Sequence, residues 1–447
     1  MPSQNVSFEP IVHAAEAQYG DPPPSFAREL EHTIAENDRE LPASLSPSLN
    51  VACTSVAERD SACGLQLRLH ENLADVADIW QCFEQVADRT VFQSSAWLTA
   101  WQHHIGHARG TLPAIVTGCD RDGQLLLILQ LGIETTRTGR RLTWLGSELC
   151  DYNAPLLAHN FSDRMSAERF ALLWRDVVDL LQAVPRFGFD LVDLQKMPES
   201  VGGQRNPFMD FAVEAHPSGA YVAHLDADWE TFYAAKRSAS TRKRERRQLK
   251  QLAEHGEVRF LDIEDPADIE QTLTALFEQK ARAFARMGID NLLADPGRRA
   301  FFLAIASDPA MRHLVHVGRL DVGGSMAAIN VGLTFRDCYY LILSSYDDGE
   351  LARLGPGRAH LNELIQRAIS RGFTTFDFTV GDEPYKRDWS DLELKLFDHL
   401  AAVSPRGHAI MAVTGVFRRA KRFIKQSPPL WRAFSKVRAL AGCFAGR

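Results

Sequence analysis

Asp377, Asp382, Glu383, Tyr385 and Lys386 fall inside one short run, Gly372 to Trp389, with the sequence GFTTFDFTVGDEPYKRDW. These are the side chains a proton-transfer reaction would draw on: carboxylates that accept protons when burial raises their pKa, a phenol that can give one up, and an amine that steadies negative charge. Phe373, Phe376 and Phe378 among threonines suit a pleated surface, so the run opens as a strand. Alternation then turns Asp377 to the face opposite Phe376 and Phe378. Gly381 permits a turn, and the other four groups emerge just past the strand's carboxyl end, where open α/β sheets place their ligand crevice. A partly buried Asp377–Lys386 ion pair that only fixes the turn accounts for the same spacing.

A second feature lies one element upstream. Gly355 and Gly357 precede a helix beginning near Gly357, whose unpaired N–H groups and positive dipole end suit a phosphate. Arg353 and Arg358 add charge there. Ala359, Leu361, Leu364, Ile365, Ala368 and Ile369 give that helix a buried face, and it delivers the chain directly to the polar run. Loop punctuation by the two glycines needs no ligand.

The elements that must position these groups read as mixed α/β. A strand at LQLRLH is followed by a helix with Val76, Ile79, Trp80, Phe83 and Val86 on one face. The serine pair at 94–95 caps a helix carrying Trp97 and Trp101, a spacing typical of a core. Strands at 112–119 and 124–135 flank a hairpin turn, Asp-Arg-Asp-Gly; RLTWLG leads to Asp151 and Tyr152 in a loop; a helix over 166–183 and a strand over 188–194 complete the first unit. Glycines and prolines between 196 and 220 mark a junction. One densely basic helix then carries Lys236, Arg237, Arg242, Lys243, Arg244, Arg246, Arg247 and Lys250. Its charge fits nucleic acid, the phosphates of a cofactor, or a solvated face. After helices at 267–287 and 297–307, HLVHVGRL, SMAAINVGLTF and CYYLILSSY form an antiparallel meander.

The chain of 447 residues is too long for one core, and 45% hydrophobic with 24% charged residues is ordinary globular composition. No run is apolar enough to span a bilayer and the start lacks signal-peptide order, so a cytoplasmic protein is expected. Seven scattered cysteines, none in a CxxC pair, imply reduced thiols and no metal site. Residues 1–62, proline-rich and acidic, read as disordered, with a short helix near 25–40. Residues 406–447 carry ten basic and no acidic residues among Phe417, Phe423, Ile424, Trp431 and Phe434. Such a tail can lie on an anionic membrane surface, at the inner face, or pack as an ordinary tail.

The pattern resembles the GNAT superfamily of acyltransferases, and within it a group associated with bacterial cellulose biosynthesis. The residues that carry the resemblance are Phe92-Gln93 with Trp97 and Trp101, RKRERRQLKQL, Ser345-Tyr346-Asp347 with Gly357, and FDFTVGDEPYKRDW. It implies tandem GNAT-like units, 63–200 and 218–405, between the acidic segment and the basic tail. It further implies that acetyl-CoA or another acyl-CoA lies between two splayed strands, near Ser345, Arg353, Gly355, Gly357 and Arg358. The acceptor would be an amine or hydroxyl of a small molecule or saccharide, in cell-envelope or exopolysaccharide biosynthesis. Glu383 or Asp382 would act as base, Tyr385 as acid, Lys386 as charge stabiliser, Asp377 as organiser of Lys386, and N–H groups around Ser344 and Ser345 as oxyanion donors. The family's arginine or glutamine three residues before the first glycine is absent, Ala352 holding its place. Fem-type transferases look similar in their paired units and use charged tRNA, which the basic helix suits, although no coiled-coil arm is present. A non-catalytic accessory of a polysaccharide synthase is the third reading.

Overall fold

The computed structural model describes residues 55–288, 290–381 and 383–426. Of the segment expected to be disordered, 1–62, residues before 55 lie outside the described residues, as do the short helix near 25–40, Asp382 and the tail beyond 426; its end is ordered instead, since residues 57–60 form a strand paired antiparallel to residues 66–69.

The first sheet is built from β1 (Ala57–Asp60), β2 (Gln66–His70), β3 (Leu112–Cys119), β4 (Leu125–Thr135) and β5 (Arg140–Trp144), each antiparallel to the next. β6 (Leu156–Leu157) pairs with β4, and β7 (Leu191–Pro198) lies parallel to β5. A small hairpin, β8 (Ser200–Val201) with β9 (Gln204–Arg205), precedes β10 (Val213–Ala215) at the far edge. The second sheet contains β11 (Ala220–His224), β12 (Val258–Asp262), β13 (Val315–Val322), β14 (Ser325–Phe335), β15 (Cys338–Tyr346), β16 (Thr375–Val380) and β17 (Leu392–Leu394). Its spatial order is β12-β13-β14-β15-β16-β11-β17. The last strand, β18 (Leu396–Ala402), returns to the first sheet between β7 and β10.

The two sheets therefore exchange strands. β10 closes the first sheet, and after residues 216–219 the chain enters the second as β11, antiparallel to both β16 and β17. β17 is separated from β18 by Lys395 alone, yet β18 pairs with β7 and β10. Chain order puts residues 396–402 with the second half; hydrogen bonding puts them in the first. The first sheet likewise extends past residue 200, because β10 pairs with β18 through Val213, Glu214 and Ala215. Apart from the extra edge strand β1, the two sheets repeat one order, with a parallel neighbour at the same place: β5/β7 and β15/β16.

The helices that matter for the site are α1 (Ala77–Glu84), α2 (Ser95–Trp101), α3 (Ala167–Ala183), α4 (Trp229–Lys236), α5 (Ala239–Ala253), α6 (Pro266–Met287), α7 (Pro296–Ser307), α8 (Pro356–Ser370), α9 (Pro384–Arg387) and α10 (Pro405–Gln426). The basic segment is two helices rather than one. Ser238 leaves helical geometry and accepts a hydrogen bond from Thr241 N–H, so it caps α5 and ends the run from α4. Trp97 and Trp101 are buried, and Trp97 meets Phe301 of α7 edge-on at 4.8 Å, so one apolar core runs from the first sheet to the helices of the second. A separate core covers the opposite face of the second sheet, where Leu364 and Ile365 of α8, Phe232 of α4 and Trp389 pack on Phe376 and Phe378. The basic tail begins as a docked helix. Ser404 donates to Asp190, and the Arg406 guanidinium donates to the Thr138 carbonyl.

Candidate active site

β15 and β16 are in parallel register at Cys338–Thr375, Tyr339–Phe376 and Tyr340–Asp377, and then part. Beyond Tyr340 the edge of β15 that faces β16 has no strand partner among the described residues, while its other edge stays paired to β14 as far as Tyr346. The parting coincides with a bulge in β15 at Ile342 and with Thr379, which adopts φ 58°. A β-branched residue in that region is an outlier costing roughly 1–3 kcal/mol, and such strain concentrates at functional sites. Its N–H turns back to the Asp377 carboxylate at 2.7 Å, and its hydroxyl reaches across the gap to the Leu341 carbonyl at 3.2 Å.

Asp377 sits at the base of this split and is buried. Both of its oxygens lie 2.8 Å from the Tyr152 phenol, which donates from the loop between β5 and β6 of the first half. Burial pushes the Asp377 carboxyl up to about 7, against the lowering effect of the Tyr152 and Thr379 donors; nearby Asp151 raises it further and Lys386 lowers it. The delivering loop is fixed at several points. Gln93 donates to the Tyr152 carbonyl at 2.8 Å, and Asn153 donates to the Lys196 and Gln195 carbonyls, both at 3.0 Å. Beside Tyr152, Asp151 is only partly covered by neighbouring atoms. Burial raises its pKa, which Lys196, the Thr379 hydroxyl and Lys386 draw back down.

The polar run after β16 folds over this cluster. The buried Lys386 ammonium donates to the Val380 carbonyl at 2.9 Å and more weakly to Thr379, and lies 3.2 Å from Glu383. The expected Asp377–Lys386 partnership is replaced: Tyr152 and the Thr379 N–H occupy the carboxylate, and backbone carbonyls hold the amine. Glu383 is more than half exposed. Tyr385 is inserted at the split, its phenol against the Ser344 hydroxyl and its ring edge-on to Phe378 at 6.2 Å; burial raises its pKa, with Glu383 adding to this. Lys280 of α6 faces Glu383 and Lys386, and its pKa is lowered by burial. Asp377, Tyr385, Lys386 and Glu383 thus converge, as the spacing suggests.

The anion-binding features are brought together only in part. Gly355 takes φ 71°, which a side chain resists, and caps α8; Pro356 brings no N–H and Arg358 N–H returns to the Gly355 carbonyl. The first turn therefore offers fewer free donors than its glycines suggest. A Cβ on Gly357 would come within 3.0 Å of the Tyr346 ring, so glycine here lets the start of α8 abut the end of β15. Arg353 is exposed, and Arg358 reaches Gln248 of α5 at 3.1 Å. The Ser345 hydroxyl is engaged by Gln279 of α6 at 2.7 Å. Gly355 and Arg358 line a groove of about 380 Å³ between α5 and α8, whose wall includes none of the polar-run residues.

The first half repeats the geometry without the chemistry. β5 and β7 are in parallel register at Arg141–Leu191 and Leu142–Val192 only, and Lys196 has φ 57° as Thr379 has 58°. There the buried Asp193 accepts from Gln195 at 3.0 and 3.2 Å and from Arg141 at 3.4 Å.

Residues 239–387 match the family model described as the acetyltransferase (GNAT) domain. The matched segment runs from α5 through α9 and holds Asp377, Tyr385 and Lys386, but not Tyr152. Among solved structures, FemX is similar in fold, with 9% identity over 77% of this chain and 98% of that chain and a TM-score of 0.51. A protein of unknown function from Bacteroides thetaiotaomicron VPI-5482 (12% identity, 75% and 99%, TM-score 0.46) and a tandem GNAT protein from the clavulanic acid biosynthesis pathway (11%, 76% and 99%, 0.41) are also similar. No curated protein matches the chain. The fold is a mixed α/β, GNAT-like one.

Asp151, Tyr152, Lys196, Lys280 and Thr379 escape sequence reasoning as site residues. Asp151 and Tyr152 do carry a signal, being polar residues in a loop after a strand's end, where functional groups collect.

Proposed function

We propose that this protein moves an acyl group from acetyl-CoA or another acyl-CoA to an amine or hydroxyl of a small-molecule or saccharide acceptor, in cell-envelope or exopolysaccharide assembly on the cytoplasmic side of the membrane. The observation that carries this reading is the parting of β15 from β16 beyond Tyr340, with α8 starting against the end of β15 and a buried carboxylate at the base. An extended thioester fits beside an unpaired strand edge, whose N–H groups can meet the oxyanion formed when the acceptor attacks the carbonyl. Asp377, or Asp151 and Glu383 nearer solvent, would take the acceptor's proton; Tyr385 beside Ser344 would return one to the departing thiolate; Lys386 would steady the charge.

Release of free thiol from acetyl-CoA and longer acyl-CoAs, measured with amine and hydroxyl acceptors, tests the proposal. Joint substitution of Asp382 and Glu383 should abolish release with little loss of stability if either takes the proton, and wild-type rates in that variant would remove both from the mechanism and leave the proton to Asp377 or Asp151.

A Fem-type reading, with charged tRNA as donor, is favoured by one observation. Lys243, Arg244, Arg246, Arg247 and Lys250 of α5 are all exposed, whereas Lys236 and Arg237 of the preceding segment pair with Asp391 and Asp388. A parallel assay with aminoacyl-tRNA separates the two donors.

A further inference from the structure

Acyl transfer needs a group that accepts a proton, and the best-placed buried carboxylate of the GNAT domain is not held by that domain alone. We propose that Tyr152 is a positioning residue for the reaction: a phenol supplied by the first half that fixes the Asp377 carboxylate at the base of the β15/β16 split, so that the two halves form one active site. This rests on the acyltransferase reading of the split.

Three features separate this arrangement from ordinary core packing. The first is its donor: the Asp193 carboxylate takes Gln195 and Arg141, while Asp377 takes the Tyr152 phenol of the opposite half on both oxygens. The second is the backbone donor: the Thr379 N–H returns to the same carboxylate, whereas Lys196, at the same positive φ in the first half, gives its N–H to Asp398. The third is what surrounds the pair. Asp151 and Tyr152 face Asp377 from the loop, Cys338 and Tyr340 from β15 and Lys386 from α9, while β11 opposite presents Val222. A carboxylate needed only for stability is poorly placed beside a second carboxylate, since like charges raise the cost of ionising either. A carboxylate that must exchange a proton near neutral pH is well placed there.

In the reaction the ionised Asp377 accepts the proton lost by the attacking amine or hydroxyl, directly or through Asp151. The new acyl bond forms as the thioester C–S bond breaks, and the thiolate leaves with its electron pair. Tyr152 touches neither substrate; it acts through Asp377 by donating to the ionised form. Loss of its hydroxyl makes Asp377 harder to ionise.

The test is the pH dependence of kcat/KM for thiol release from acetyl-CoA. Wild type should show an acid limb near pH 7. In Tyr152→Phe the limb should move up by about one unit, a tenfold loss at pH 6 that vanishes by pH 9, with KM for acetyl-CoA unchanged. Site-specific 3,5-difluorotyrosine at 152 keeps the ring and strengthens donation, so the limb should move down; it decides the matter if the phenylalanine variant fails to fold. Asp193→Asn should leave the limb in place. A Tyr152→Phe rate reduced by the same factor at every pH, or limbs that do not move in either variant, would overturn the proposal. A wild-type protein that releases no thiol from any acyl-CoA would instead sink the acyltransferase reading itself.

Discussion

Asp377→Asn should stabilise the protein at pH 8 relative to pH 4.5, and the size of the effect follows from the burial of the group. The folded carboxyl titrates at about 7, against 3.8 for the free side chain. Below pH 4 it is protonated in both the folded and the unfolded chain and contributes no penalty. As pH rises from 4 to 7, the unfolded chain ionises freely while the folded one holds its proton, so folding loses about 1.4 kcal/mol per unit. Over roughly three units this amounts to about 4 kcal/mol, reached at pH 7 and constant above it. Asparagine cannot ionise, so the variant lacks this loss, although it pays for imperfect bonding to Tyr152 and Thr379 at every pH. Urea unfolding of both proteins at pH 4.5 and 8 isolates the term, because other titrating groups cancel in the difference of differences. Removal of Asp377 also relieves Asp151, which adds in the same direction. A stability difference that stays within about 0.5 kcal/mol between the two pH values would mean the carboxyl ionises normally in the fold, and the account of a strained, buried acid would be wrong.

Trp389→Ala should cost about 3–5 kcal/mol, read as a lower urea midpoint, since the fully buried ring stacks on Phe232 at 5.9 Å and takes the Arg237 guanidinium on its other contacts at 4.1 Å; an unchanged midpoint would contradict the packing described. His360 is buried, donates from Nε2 to Asn330 at 2.8 Å in its neutral form, and is pushed down to about 3 by burial. The unfolded chain therefore binds the extra proton between pH 6.5 and 3, stability falls as pH drops through that window, and His360→Gln should flatten the fall in an acid titration of unfolding. Ending the chain after Leu394 removes β18 and should expose amides of β7 and β10 in the first sheet to hydrogen exchange while β13 and β14 stay protected. Flotation with anionic vesicles should be lost when residues 406–447 are removed, and equal flotation of both proteins would dismiss the membrane role of the tail.

Much of the second half was legible because its strands and helices are long and locally punctuated. The meander of β13, β14 and β15 announces itself through short turns, and α8 through its apolar face and the glycines before it. Strand exchange left no such mark. β11 and β17 are too short to encode a partner, and the run through Lys395 looks continuous, so only long-range hydrogen bonding reveals that residues 396–402 belong to the other sheet. The break between α4 and α5 was available in Ser238, a capping residue three positions before the N–H it binds, but good helix formers on both sides hid it.

The site divides along the same line. Spacing alone gathers Asp377, Glu383, Tyr385 and Lys386, because one turn follows one strand. It does not reveal that Asp377 looks toward Tyr152, since their hydrogen bond spans 225 positions of sequence. An ion pair with Lys386 is the natural local inference, but Lys386 finds carbonyl acceptors closer at hand in Thr379 and Val380. The carboxylate is instead shared between the Thr379 N–H of its own strand at 2.7 Å and the Tyr152 phenol at 2.8 Å, and the second of these partners is visible only once the two halves are folded together.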